Sequence, residues 1–151
     1  MSLIGKHRPN CIITQHVVDE VTELYQEQQE RLQAAVADGH LAVIQVSEDP
    51  EIDIFGRLQQ TGRLGVGESS AIAVAFHRGY PIAIDDRPAI RRAEAVAAEE
   101  GVALTVLKTP DIIVRLIRAG HLSVEQADVL LVSWRTQHSF NLKISSFADL
   151  L

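Results

Sequence analysis

The strongest constraint on this chain is a regular alternation of short β-rich apolar runs with stretches of helical periodicity. LAVIQV (41–46), the run at 82–84 and LTVLK (104–108) are each followed by a helical stretch before the next run or the C-terminus. Strands joined through helices pair in parallel, because a parallel neighbour is reached only by a crossover connection. The expectation is an α/β protein whose parallel sheet is covered by helices on both faces. Val17, Val18, Val21, Leu24, Tyr25, Leu32 and Val36 recur at helical spacing over 16–37, with a break near Gln26. Further helices are expected over 49–60, 68–78, 88–100 and 111–119, and a long last one is capped by Ser123. Ala71, Ile72, Ala75 and Phe76 make one apolar face of the 68–78 helix, which Gly79 closes. Thr109-Pro110 reads as cap and first turn of the 111–119 helix, glycines 62, 65 and 67 as a loop, and ISSFADLL as one added turn.

The 151 residues suit a single domain, 1–151, with a sizeable core. The chain is 46% hydrophobic and 23% charged, which argues against wholesale disorder. A net charge of −6 speaks against broad coating of nucleic acid but leaves room for a local arginine patch. The single Cys11 excludes an internal disulfide and a multi-cysteine zinc site. No apolar run approaches the roughly 18 residues of a membrane span, and no signal-peptide pattern opens the chain. A soluble, cytoplasmic protein is expected.

The chemistry concentrates in PIAIDDRPAIRR (81–92), where an apolar run delivers Asp85 and Asp86, and Arg87, Arg91 and Arg92 follow. Sites of parallel sheets form beyond the carboxyl ends of the strands. The preceding helix of roughly 11 residues rises about 16 Å, and a five-residue strand returns about as far. Glu68, at the start of that helix, is therefore expected beside Asp85. Carboxylates brought together repel unless a proton or cation sits between them, and their hard oxygens suit Mg²⁺ or Mn²⁺. Such ions serve in-line attack on phosphodiesters, and arginines hold phosphate. Spacing alone leaves a second reading equally open. In it Glu68 answers the helix dipole, and Asp-Asp-Arg-Pro is a turn and N-cap with its acids paired to the arginines.

Other signals carry less. GRLGVGESSA lacks the lysine of a phosphate-binding loop and carries Glu68 in its place. His16 and Glu20 are four apart on a helix, without a second histidine nearby to complete a metal site. Cys11 has no sequence-local base and reads as a small apolar residue. The segment 112–131 has a helix-turn-helix look, equally explained by two core helices with Arg115 and Arg118 solvated. Trp134 reads as a packing or dimer residue.

GESSAIAVAFHRG, PIAIDDRPAIRRAEAVAAEEG and LTVLKTPDIIVRLIRAGHLS together resemble the PIN domain superfamily, closest to its branch of toxin-like predicted nucleases. CIITQHVVDEV is similar to the superfamily's second acidic segment, a strand-to-helix step whose helix carries a Glu. The resemblance runs from about residue 11 to the C-terminus. It implies a three-layer α/β/α fold and a Mg²⁺- or Mn²⁺-dependent ribonuclease acting on RNA, in many members a homodimeric toxin silenced by an antitoxin protein. It also implies metal-site roles for Glu20, Glu68, Asp85 and Asp86, catalysis at Glu68 and Asp85, and a place near the substrate phosphate for Arg87, with Arg91 and Arg92 beside it. The superfamily normally opens with a central strand ending in Asp. MSLIGKHRPN supplies neither, so that strand is expected to be shortened or missing. The alternative function is a catalytically impaired PIN-like module that binds nucleic acid or protein. A third is a DNA-binding regulator using the C-terminal helices.

Overall fold

A computed structural model of the chain describes residues 11–24, 26–60, 62–137 and 140–151. The elements alternate as expected. Strand β1 (Cys11–Thr14) leads directly into α1 (Gln15–Leu24), α2 (Gln26–Ala37) follows, then β2 (Leu41–Ile44) and α3 (Asp49–Gln60). After them come α4 (Val66–Arg78), β3 (Ile82–Ala83), α5 (Arg87–Glu100), β4 (Val106–Leu107), α6 (Thr109–Arg118), α7 (Val124–Gln137) and a final 3₁₀ turn (Phe147–Leu150). Mixed α/β architecture with seven helices is thus present among the described residues. Both strand pairs are parallel: β1 with β2 in the register Cys11–Leu41, and β3 with β4 in the register Ile82–Val106. They form two separate two-stranded sheets, with strands shorter than the apolar runs suggest. The shortened or missing first strand concerns residues 1–10, which lie outside the described residues.

The chain divides into two compact units, the first ending at Leu107 and the second running from Lys108 to Leu151. In the first, α4 is the organising element. Its apolar residues were expected on one face, but burial runs from Ser69 through Phe76 with only Ala71 partly exposed. The reason is that α1, α3 and α5 all pack on it. Leu58, Ile72, Ala75, Phe76, Ile82, Ala93, Val96 and Ala97 form the apolar core, which joins α3, α4, β3 and α5. Gly79 and Gly101 stop α4 and α5 in the left-handed region, at φ 65° for each, a conformation that costs a residue with a Cβ far more.

A buried ion pair holds α3 to α4 in this unit. Glu51, fully buried on α3, accepts from Arg78 Nε at 2.6 Å and from the Ser47 and Glu48 amides at 3.1 and 3.4 Å. Burial pushes its carboxyl up, but Arg78 and the two amides outweigh that and hold it below the usual carboxylate range. Arg57 pairs with Glu99 at 2.9 Å and with Glu100, tying α3 to α5 at the surface, where such pairs contribute little.

In the second unit Ile113, Leu116, Leu122, Ala127, Leu131 and Phe147 are buried. Lys108 rather than Thr109 is the N-cap of α6. Its amide donates to Asp111 Oδ2 at 2.8 Å, and Thr109-Pro110 already lies inside the first turn. Ser123 caps α7 as expected, with reciprocal bonds to Gln126 at 3.2 and 2.9 Å. Asp128 accepts from Ser146 Oγ at 2.7 Å and from the Phe147 amide at 2.8 Å, fastening the last turn to α7. Trp134 sets its ring edge-on to Phe140 and Phe147, a packing role. No helix among the described residues is long and apolar enough to cross a membrane.

Candidate active site

The candidate site begins at the first turn of α4. Gly65 precedes the helix in an extended conformation, φ −62° and ψ 159°, and has no side chain with which to cap it. The first amides of a helix have no partner within it, and their dipoles favour negative charge. Carboxylates from two elements meet that demand. Glu68 turns back so that Oε2 accepts the Gly65 amide at 3.2 Å. Glu20 reaches across from α1, and its Oε1 accepts the Gly67 amide at 2.8 Å.

Both glycines belong to this contact. A Cβ on Gly67 would stand 2.8 Å from Glu20 Cδ, so any side chain there displaces the carboxylate. Gly67 therefore belongs to the helix and seats Glu20, and does not belong to the expected loop. A Cβ on Gly65 would meet Glu20 Oε1 at 3.5 Å and Glu68 Oε2 at 3.7 Å, which places the two carboxylates around one point.

A buried polar network holds this turn from behind. Ser70 Oγ donates to the Gly67 carbonyl at 2.7 Å, and Thr14 Oγ1 lies 2.6 Å from Ser70 Oγ. Ser70 has one hydroxyl proton and it is committed to Gly67, so Thr14 is the donor in that pair. Gln59 on α3 donates to Ser69 Oγ at 2.7 Å and to the Gly65 carbonyl at 3.3 Å. Thr14, Gln59, Ser69 and Ser70 were not singled out from sequence. Two adjacent serines inside an otherwise apolar helix were the available signal, since a buried hydroxyl needs a partner.

The second acidic element lies beyond β3. The Ile84 amide still pairs with the Leu107 carbonyl at 2.9 Å, and Asp85 follows it, exposed at the carboxyl end of the strand. Asp86 is the N-cap of α5, with Oδ2 accepting the Ala89 amide at 2.8 Å and Pro88 in the first turn. Arg87 and Arg91 are exposed and Arg92 is half-buried, its Nε buried without a hydrogen-bond partner among the described residues. None of the three enters an ion pair among the described residues. His16 does not pair with Glu20, and its ring packs on Phe55 with centroids 5.2 Å apart.

Of the expected acids, then, Glu20 and Glu68 are brought together. Among the described residues no group of three or more Asp, Glu, His and Cys side chains stands so as to hold a metal ion, so Asp85 and Asp86 do not complete such a set. The donor chemistry of the pair nonetheless suits a hard divalent cation. Each carboxylate commits one oxygen to an amide, and Mg²⁺ is commonly held by only one or two carboxylates with waters and substrate phosphate completing its shell.

No curated protein and no solved structure shows a significant match to the chain. A family model described as a PIN domain matches residues 1–148. PIN domains are nuclease-like modules that act on nucleic acid and generally use divalent metals. By that match, spanning almost the whole sequence, the chain belongs to the PIN domain family.

Proposed function

We propose that this PIN domain is a Mg²⁺- or Mn²⁺-dependent ribonuclease whose centre is the Glu20–Glu68 pair at the start of α4, with Asp85 contributing from the end of β3. The observation that carries the reading is the convergence of the two carboxylates around Gly65. Each carboxylate caps a different amide of the first turn, and their meeting also leaves two like charges at one helix start, where a bound cation relieves their repulsion. When bound, a divalent cation supplies a water of lowered pKa and bears charge that develops on phosphate oxygens. The chain's own residues then have separable tasks. Glu20 and Glu68 would hold the ion, Asp85 would serve as a further metal-orienting acid, and Asp86 aligns α5 through its cap. Arg87, Arg91 and Arg92 lie in the first two turns of α5, which begins two residues after Asp85, and hold the RNA backbone. An antitoxin partner, a homodimeric state and a cytoplasmic RNA target extend this proposal on family resemblance.

The test is Mn²⁺-dependent cleavage of RNA by the full chain. Cleavage is expected to disappear in Glu68→Ala and in Asp85→Ala. Variants that cut as fast as the parent would show that the assigned roles are wrong.

A second reading has one observation in its favour, the absence of a three-ligand group among the described residues. In it the domain keeps the fold and binds RNA or a protein without cutting. RNA binding with no cleavage at any Mn²⁺ concentration selects this reading.

A further inference from the structure

We propose that Thr14 and Ser70 are positioning residues that set where Glu20 stands at the candidate site. The inference rests on the reading of Glu20 and Glu68 as metal-site acids. Two tethers run from the β1–α1 segment to α4. One is the Thr14–Ser70 hydroxyl pair at 2.6 Å, and the other is the Glu20 carboxylate on the Gly67 amide at 2.8 Å. They land three residues apart on one turn of α4. Ser70 also grips the Gly67 carbonyl at 2.7 Å, so the residue that seats Glu20 is held on both of its backbone groups. Packing already holds α1 against α4, and the two directional bonds fix the register in which the turn carrying Glu20 meets the turn carrying Gly67.

The placement of the hydroxyls argues for this use. Thr14 is 3% exposed and Ser70 0%. A buried hydrogen bond is nearly neutral for stability relative to an apolar pair of the same shape, whereas it is strict about direction. A hydroxyl pair that adds little stability, sits at the end of the strand that launches α1, and meets the turn carrying both carboxylates is suited to orientation. Groups bonded directly to a metal ligand, when removed, typically lower metal affinity by about 10–100-fold, and Thr14 and Ser70 act one step further out, through Gly67, so the low end is expected.

The experiment is Mn²⁺ titration calorimetry on the full chain, with thermal unfolding recorded for each protein. Thr14→Val removes the hydroxyl and keeps the shape, and Thr14→Ser restores the hydroxyl. Ser70→Ala breaks the same contact from the other end and reads the coupling if Thr14→Val does not fold. Val96→Ala, a truncation in the apolar core, controls for loss of stability. We expect Mn²⁺ affinity to fall about tenfold or more in Thr14→Val and Ser70→Ala, and to stay at the parent value in Thr14→Ser and Val96→Ala. Parental affinity in Thr14→Val and Ser70→Ala, together with lost binding in Glu20→Gln, would overturn the proposal and leave the metal reading intact. Parental affinity in Glu20→Gln would instead remove the metal reading on which the proposal stands.

Discussion

Replacing Gly67 by alanine sets two effects of opposite sign against each other. In the first turn of an ordinary helix the change is favourable, because alanine exceeds glycine in helix propensity by about 1 kcal/mol. Here the new Cβ would stand 2.8 Å from Glu20 Cδ, well inside contact distance, so the carboxylate must leave the Gly67 amide. A hydrogen bond to a charged group contributes about 1.5–3 kcal/mol, and the exposure of Glu20 argues for the lower end. The two terms nearly cancel, and Gly67→Ala is expected to lose only about 0.5–1 kcal/mol relative to the parent. Function should not be cushioned in the same way. With Glu20 swung from its seat, Mn²⁺ affinity and Mn²⁺-dependent cleavage should fall about 10–100-fold. Urea denaturation gives the first quantity, and calorimetry with an RNA cleavage assay gives the second. A Gly67→Ala protein more stable than the parent by about 1 kcal/mol, with unchanged cleavage, would refute the idea that Glu20 is held against residue 67.

Other consequences concern the frame of the site. Glu51→Gln removes the counter-charge of Arg78 and leaves one acceptor oxygen in place of two, and should cost about 3 kcal/mol at pH 7, the low end for a broken buried pair, since Arg78 keeps some exposure. Because the Glu51 carboxyl is held below its ordinary value, its contribution is present above the unfolded pKa of about 4.3 and fades as pH falls through the folded value. The urea midpoints of parent and variant should therefore converge in acid, and a gap that persists there contradicts the assignment. Asp86→Ala should lower stability by about 1 kcal/mol through loss of the α5 cap, while Asp86→Ser, which can still cap, should restore both stability and cleavage. If Asp86→Ser remains inactive, Asp86 does more than cap. Phe147→Ala should cost about 3–5 kcal/mol, since its ring is fully buried and packs on Trp134, and differential scanning calorimetry reads the loss directly.

How much of this was legible in the sequence depends on how local the governing physics is. The ends of α4 and α5 were read correctly because a glycine in the left-handed region terminates a helix by its own backbone preference. The Ser123–Gln126 box was equally legible, being a contact within four residues. Strand lengths were overestimated because the β-rich runs 41–46 and 104–108 extend beyond the residues that pair, Leu41–Ile44 and Val106–Leu107. The α6 cap moved to Lys108 because Asp111 supplies the capping oxygen, a preference hidden behind the stronger Thr-Pro signal.

At the site, the position of Asp85 at the end of β3 followed from strand and turn pattern alone. The seat of Glu20 did not, since it depends on a contact between α1 and α4 that no local periodicity encodes. Gly67 reads as a loop residue in the sequence for the same reason. Its missing side chain answers a carboxylate 47 residues away in the chain. The adjacent Ser69 and Ser70 were visible as polar residues in an apolar helix, but their partners Gln59 and Thr14 belong to other elements.

The most direct test of the account is a Mn²⁺ titration of the full-length parent, Glu20→Gln and Glu68→Gln by calorimetry under identical conditions. One saturable binding event in the parent, weakened strongly in both variants, is the expected result, because either change removes half of a shared pair of carboxylates. Equal binding by all three proteins, or no heat in the parent at any Mn²⁺ concentration, would contradict the claim that these two acids meet in order to hold a cation.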